Sequence, residues 1–360
     1  MKAAVLTGPG ELRLEELPVP ECGPGDTLIR VRACGICKTD FKCFREGQRD
    51  LCLPRVLGHE IAGEVVQTGR NVRGLRPGDR VQVSPGLSCG NCGYCRKGRD
   101  NLCDRVQILG FSRDGGFSEF LLVPGAGFLQ KIPDGVSYGE AALTEPLACA
   151  VNMLKALHLS ARDRLLVIGA GRLGILMARL ALAEGLEEVL VAESDPARLR
   201  LAASLGIRVV PVPGGRELRG TLQTETGWEE ADAVIPCCPG TIPFMQGLDA
   251  LGKGGVLGFF SGLSGDAPGT EGIPVRWLNS IHYRELTLTG SYGCGAGDNR
   301  RALGLIASGQ VPVRDLITRR ISLEGLPGTL AGAGDRTELA MVLETWGSED
   351  PQEKNGGEKR

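Results

Sequence analysis

Hydrophobic positions change their period near residue 137. Before that point they fall in short runs bounded by Gly and Pro, the spacing of a β-rich region. Leu28 to Ala33 alternates apolar with charged residues like a half-buried strand, and Ile61 to Val66 and Val81 to Val83 read as further strands. Arg76-Pro77-Gly78-Asp79-Arg80 puts Pro and Gly at the centre of a type II turn. Many short strands with such turns predict a small barrel or sandwich over residues 1 to about 135. From Ser137 the pattern becomes helical. Ser137 and Glu140 form a capping box before Ala141-Ala142-Leu143, Glu145-Pro146 interrupts the backbone, and Leu147 to Leu157 reads as a second helix.

A β-α-β unit follows. Arg164 to Ile168 is a buried-type strand that runs into Gly169-Ala170-Gly171-Arg172-Leu173-Gly174, a complete G-x-G-x-x-G. An apolar helix (Ile175, Leu176, Met177, Leu180, Leu182) leads to Gly185 and to a second strand, Val189 to Ala192. That strand ends at Glu193, nineteen residues after Gly174, and Asp195-Pro196 caps the next helix. Further strands are expected at 231–235, 255–260 and 285–289, which makes a doubly wound sheet, and another helix over 299–308. There is no internal repeat.

With 360 residues the chain is long for one core and predicts two domains. A net charge of −2 argues against nucleic acid or an anionic membrane as the main partner, and no run is apolar for long enough to span a bilayer. The N-terminus lacks the apolar run of an export signal, so the odd count of thirteen cysteines reads as thiols and metal ligands, and the expected location is the cytoplasm.

The candidate chemistry sits in three stretches. Gly58-His59-Glu60 carries one of only three histidines; with a thiolate from Cys34 or Cys37 it offers three ligands and an open position, the pattern of a catalytic zinc. The alternative is a hydrogen-bonded core histidine beside a solvated charge. Cys89, Cys92, Cys95 and Cys103 lie in one loop at spacings that wrap a tetrahedral ion, and four thiolates close the site, so this zinc is structural. In the glycine-rich turn the backbone can approach a pyrophosphate at the helix N-terminus. Glu193 can accept from a ribose 2′-hydroxyl and repels a 2′-phosphate, favouring NAD over NADP, although Arg198 and Arg200 lie close by in sequence. Glu145 stands in an apolar neighbourhood and needs either an exposed kink or a cation such as a metal. His158 and His282 read as structural, and Lys42, Arg45 and Arg49 as a solvated basic loop.

Taken in order, Cys34-Gly-Ile-Cys37-Lys-Thr39-Asp40, Gly58-His59-Glu60, the Cys89 to Cys103 lobe, Thr144-Glu145-Pro146-Leu147, the Gly169 to Gly174 loop and Ile281 to Leu286 resemble the zinc-dependent medium-chain alcohol dehydrogenase family, in its sorbitol- and threonine-dehydrogenase-like branch. The resemblance runs from residue 1 to about 345. It implies an α/β fold with a GroES-like β-rich catalytic domain (1–150 and 294–345, the zinc lobe at about 86–104) and an inserted Rossmann domain (151–293). Residues 346–360, polar and charged, are expected to be a disordered tail. It also implies Cys37 over Cys34 as ligand, with His59, and with Glu60 and Glu145 bound directly or through water. Thr39 is implied as the proton relay. The activity implied is reversible oxidation of a secondary alcohol, polyol or amino alcohol, in a homo-oligomer (tetramer or dimer).

One Zn²⁺, one thiolate, a neutral imidazole and one carboxylate sum to zero charge, so Glu60 and Glu145 are not expected to bind together during chemistry. Three features depart from the family pattern: Lys42 where many relatives have histidine, Gly293-Cys294 near a customary arginine, and Cys237-Cys238 in the nucleotide half. Two other readings compete. One is a zinc-independent quinone-reductase-type enzyme using NADPH; the other is a non-enzymatic, zinc-stabilised NAD-binding module.

Overall fold

The alternation at residues 28–33 belongs to the longest described strand, Asp26–Ile36, in which Ile29, Val31 and Ala33 are buried while Arg30 and Arg32 are half-buried. In this computed structural model the described residues are 1–212, 218–262, 275–332, 335 and 337–346. The chain divides into two units, Met1–Ala148 with Cys294–Arg360, and Cys149–Gly293.

In the first unit a seven-stranded sheet runs in the order Leu129–Lys131, Arg80–Val83, Glu60–Thr68, Asp26–Ile36, Ala340–Glu344, Ile317–Ile321, with Phe120–Pro124 also paired to the long strand. The C-terminal part of the chain thus returns to this unit, where Met341 pairs with Ile36 and Glu344 with Ala33. The register of the two longest strands matters most. Gly35 pairs with Glu60 and Cys34 with Ile61, so the chain just beyond Gly35 and the chain just before Glu60 leave the sheet at the same end. Register fixes which residues meet there, because a one-residue slip would turn every side chain to the other face. Leu6, Ile29, Leu57, Ile61 and Phe117 are wholly buried in the core of this unit.

The turn at 76–79 forms as expected, with the Asp79 amide donating to the Arg76 carbonyl at 3.1 Å. The capping box is present too: Ser137 Oγ accepts from the Glu140 amide at 3.2 Å, and Glu140 Oε2 accepts from the Ser137 amide at 3.0 Å. Pro146, however, does not break the chain before a helix. The helix runs Thr144–Leu157 and includes Pro146 in its first turn, where a missing N–H leaves no intrahelical bond unmade. His158 follows that helix in the left-handed region at φ 53°, whereas His282 lies within the helix Val275–Tyr283; both are exposed. Trp346 packs edge-on to Phe120 at 5.8 Å and under the Arg30 guanidinium at 5.0 Å. The rest of the expected tail, 347–360, lies outside the described residues.

The second unit holds six parallel strands in the order Val209–Pro211, Glu188–Glu193, Arg164–Ile168, Ala231–Pro236, Leu251–Phe259, Thr287–Gly290. Numbered along the chain this is 3-2-1-4-5-6, the doubly wound order, with its switch point between Arg164–Ile168 and Ala231–Pro236. The helix Arg172–Ala183 buries Ile175, Leu176, Met177 and Leu180, while Leu182 is 47% exposed. Among the described residues no helix is long and apolar enough to cross a membrane.

Phe117 is fully buried, so Phe117→Ala should remove about 3–5 kcal/mol of stability. Guanidinium unfolding followed by circular dichroism measures this loss.

Candidate active site

At the shared end of the two longest strands the chain turns into the helix Lys38–Glu46, whose N-cap is Cys37. Asp40, at the third helical position, accepts from the Cys37 amide through Oδ2 at 2.8 Å. The positive end of a helix favours negative charge at this cap. Cys37 Sγ lies 3.5 Å from Thr39 Oγ1, to which it donates.

His59 arrives from the neighbouring strand. Gly58 before it has φ 92°, and a Cβ there would fall 2.7 Å from the Phe117 ring and 2.8 Å from Cys34 Sγ, so only glycine fits. The imidazole is buried, tilts against the Phe111 ring at 5.1 Å, and turns Nδ1 toward Asp40 Oδ1 at 3.6 Å. Those two atoms are buried with no closer hydrogen-bond partner, so each is the other's electrostatic complement. Burial disfavours the imidazolium, yet the Asp40 charge and the Cys37 sulfur outweigh it and hold the His59 pKa well above its ordinary value. In the neutral ring a proton kept on Nδ1 by Asp40 leaves Nε2 as the lone-pair donor, the usual carboxylate–histidine support of a metal ligand, and a metal binding there would displace the second proton. Glu60 is wholly buried, and a Cβ on Gly35 would lie 2.0 Å from its Oε2, so the glycine of the paired register makes room for the carboxylate.

Cys37, His59 and Glu60 therefore converge, with one donor atom from each within 4.8 Å of the others. Cys34, the other cysteine considered, is buried in the strand; burial and the charges of Asp40, Glu60 and Glu145 push its thiol well up, so it stays neutral and packs. A thiolate, an imidazole and a carboxylate at this spacing are the donor set that suits a zinc ion with an open position. Glu145, buried near the start of its helix, lies against Cys294, with its Oε1 3.9 Å from that sulfur. Lys42 and Arg45 are exposed on the helix after Cys37, Arg45 donating to the Gly332 carbonyl, and Arg49 pairs with Asp50. That is the solvated reading.

In the lobe, Cys89, Cys92, Cys95 and Cys103 also converge within 4.8 Å. The Cys92–Cys95 and Cys89–Cys95 sulfurs are 3.5 and 4.0 Å apart. Zn–S bonds of about 2.3 Å in a tetrahedron need an edge of about 3.8 Å. The Asn91 amide leads the groups that hold Cys89 down to about 6, and the Cys95 amide does the same in direction for Cys92. All thirteen cysteines are free thiols. From the lobe, Asp100 accepts from the Ala296 amide at 2.9 Å, at the first turn of the helix Ala296–Ala307.

The glycine-rich turn is built as the motif requires. Gly171 is the N-cap of the helix Arg172–Ala183, and a Cβ on Gly174 would lie 1.9 Å from the Gly169 carbonyl oxygen. Arg172 and Leu173 open the helix half-buried. Glu193, buried, accepts from the Ala170 amide at 2.8 Å through Oε2, and from the Ser194 and Asp195 amides at 2.7 and 2.9 Å through Oε1. It ties the turn to the end of the next strand. Asp195 caps the following helix through the Ala197 and Arg198 amides, which leaves Arg198 half-buried in its first turn. The Cys237 amide donates to the Ile168 carbonyl at 2.8 Å, and Cys238 packs against Gly169.

Asp40, Asn299 and Gln82 took no role in the reading of the sequence, and Cys294 entered it only as a departure from the family pattern. A signal existed for Asp40 alone, as the acid three residues after an N-cap; the cap is a cysteine, outside the usual set.

Glu145 falls in a third convergent group, with Cys149 and Cys294, and not in the group of Cys37, His59 and Glu60. A GroES-like sheet unit, a doubly wound unit and the donor groups at Cys37 and at Cys89 define a zinc-type dehydrogenase. Comparison with known proteins agrees. Residues 23–134 match the alcohol dehydrogenase GroES-like domain, and residues 173–308 match the zinc-binding dehydrogenase family. The chain is 30% identical to L-galactonate-5-dehydrogenase of Escherichia coli (strain K12), over 91% of this chain and 94% of that one. It is 33% identical to an L-threonine 3-dehydrogenase of Chelativorans sp. (strain BNC1), over 90% and 93%. Among solved structures, a protein described as a zinc-binding dehydrogenase from Sinorhizobium meliloti 1021, bound to NADP, superposes with a TM-score of 0.86 at 31% identity, covering 95% of this chain and 98% of that one. The chain belongs to the zinc-type medium-chain alcohol dehydrogenase family. It is an oxidoreductase acting on a CH–OH group, with zinc and a nicotinamide dinucleotide as its cofactors.

Asp40→Asn should keep the helix cap while weakening the hold on His59. We expect zinc affinity at the Cys37 group to fall about 10- to 100-fold, measured by competition with a chromogenic chelator.

Proposed function

We propose that this protein oxidises a secondary alcohol, polyol or amino alcohol to the carbonyl compound with NAD as hydride acceptor. The observation that carries this is the convergence of Cys37, His59 and Glu60 beside Thr39. Cys37 and His59 would hold the catalytic zinc, with Glu60 and Glu145 completing its shell in turn, directly or through water, and Cys89, Cys92, Cys95 and Cys103 would hold the structural one. Bound zinc supplies Lewis-acid acidification of the hydroxyl, of the kind that brings bound water to a pKa of about 7. Thr39 Oγ1 takes the released proton and passes it outward. Asp40 keeps His59 in one orientation throughout. In the overall reaction the substrate carbon loses a hydride to the nicotinamide, and the hydroxyl proton goes to solvent.

Gly169, Gly171, Arg172, Leu173 and Gly174 form the pyrophosphate cradle, and the Glu193 charge at the end of its strand disfavours a 2′-phosphate. The NADP held by the Sinorhizobium protein makes this the point to test. The quinone-reductase reading is disfavoured by both donor groups, and the non-enzymatic reading by the group at Cys37. We further propose a homodimer or tetramer, supported by the edge strand Thr287–Gly290 with exposed Leu288 on it and Tyr292 just after it, and by Val275, Leu278 and Tyr283 exposed on the helix Val275–Tyr283. Thirteen free thiols support a reducing compartment, the cytoplasm.

Purified enzyme should contain two zinc ions per chain by elemental analysis, and should reduce NAD⁺ with secondary alcohols, polyols or amino alcohols at 340 nm. Cys37→Ser should lower kcat by at least about 100-fold. A zinc-free active protein would return the quinone-reductase reading. NAD⁺ should be used at least about tenfold better than NADP⁺ in kcat/KM, and the reverse order would overturn the role given to Glu193.

A further inference from the structure

A buried polar chain leads from the sheet of the first unit to Glu145. Gln82, wholly buried in Arg80–Val83, donates through Nε2 to Asn299 Oδ1 at 3.1 Å. Asn299, also wholly buried, donates through Nδ2 to Cys294 Sγ at 3.2 Å and to the Gly295 carbonyl at 3.0 Å. Cys294 Sγ in turn faces two acceptors of one residue, Glu145 Oε1 at 3.9 Å and the Glu145 carbonyl oxygen at 4.0 Å. The direction of the bonds is set by inventory. The Asn299 amide nitrogen is a donor only, so the sulfur accepts there, and its own S–H is left to point at Glu145.

We propose that Cys294 is the positioning residue for Glu145: fixed by Asn299, its thiol holds the Glu145 carboxylate by a long, weak S–H bond. This rests on the reading of Glu145 as a carboxylate of the catalytic zinc shell. The weakness of the bond has a use. A thiol is a poor donor, so it orients the carboxylate without competing strongly for it, as exchange between Glu60 and Glu145 requires. An arginine or lysine at position 294 would instead pair with Glu145 and draw it away. No other described side chain along this run has been given a task by the reaction, yet all four are buried, and polar groups are not buried without a structural or chemical return.

The test uses the full-length zinc-loaded protein and reads the rate at which a chelator removes zinc from the Cys37 group, with the four-cysteine zinc as internal reference. Glu145→Ala is expected to speed that loss about tenfold. Cys294→Ala should speed it in the same direction, and Cys294→Ala/Glu145→Ala should be no faster than Glu145→Ala alone. The cobalt(II)-substituted protein should show the same visible-band change in both single variants. If Glu145→Ala changes nothing, the reading of Glu145 falls, and this proposal with it. If Glu145→Ala acts and Cys294→Ala does not, or if their effects multiply, the positioning role of Cys294 falls while that reading stands. Asn299→Ala probes the chain one link back and serves if Cys294→Ala does not fold. It should give a smaller acceleration that vanishes in the Glu145→Ala background; an acceleration that persists there overturns the proposal.

Discussion

One wholly buried carboxylate, Asp40, ties together the two donor segments of the first unit. One oxygen closes the cap of the helix that starts at Cys37, and the other faces the imidazole of His59 from the adjacent strand. Burying a carboxylate without partners is costly, and here the cost is met by a backbone amide on one side and a ring nitrogen on the other. The two candidate ligands are thereby referred to the same atom pair. The strand register supplies the rest, since Gly35 opposite Glu60 brings both chain segments out at one end of the sheet and leaves room for the Glu60 side chain.

The second unit solves a similar problem with backbone alone. Its glycine-rich turn presents amides rather than side chains, and helix and strand approach so closely that a methyl group on Gly174 would overlap the Gly169 carbonyl. The catalytic half gathers donors from separated segments, which needs long-range register; the nucleotide half gathers them from one turn, which needs only local geometry. The four-cysteine lobe stands between these cases, local in sequence but anchored at a distance where Asp100 meets Ala296.

That difference explains what could be read from the sequence. Local features were legible: the Ser137–Glu140 box, the turn at Arg76 to Asp79 and the strand–turn–helix at Gly169 all follow from residues close in the chain, and the doubly wound class follows from that unit and the strands after it. Family, fold class and cofactor chemistry followed from motifs in series. Pro146 was misread as a break because a proline within a helix's first turn and one just before it leave the same local trace. The contacts of Gln82, Asn299 and Cys294 were not legible, although Cys294 stood out as a departure from the family pattern, since Gln82 and Asn299 are 217 residues apart and only the folded chain makes them neighbours. Asp40 was quoted within a motif but hidden by its unusual cap, and the choice of Cys37 over Cys34 needed family knowledge that the folded chain replaces with position: one sulfur at a helix start, the other inside a strand.

Glu193 carries a consequence of its own. Its two oxygens are already engaged by three main-chain amides, so the residue proposed to set the charge facing the adenosine ribose is also the brace of the glycine-rich turn. Selection or engineering that exchanged it for a small neutral side chain, to admit a more highly phosphorylated coenzyme, would loosen the turn in the same stroke. On that proposal coenzyme choice and loop rigidity are a single heritable trait, and a drift in one has to be compensated in the other.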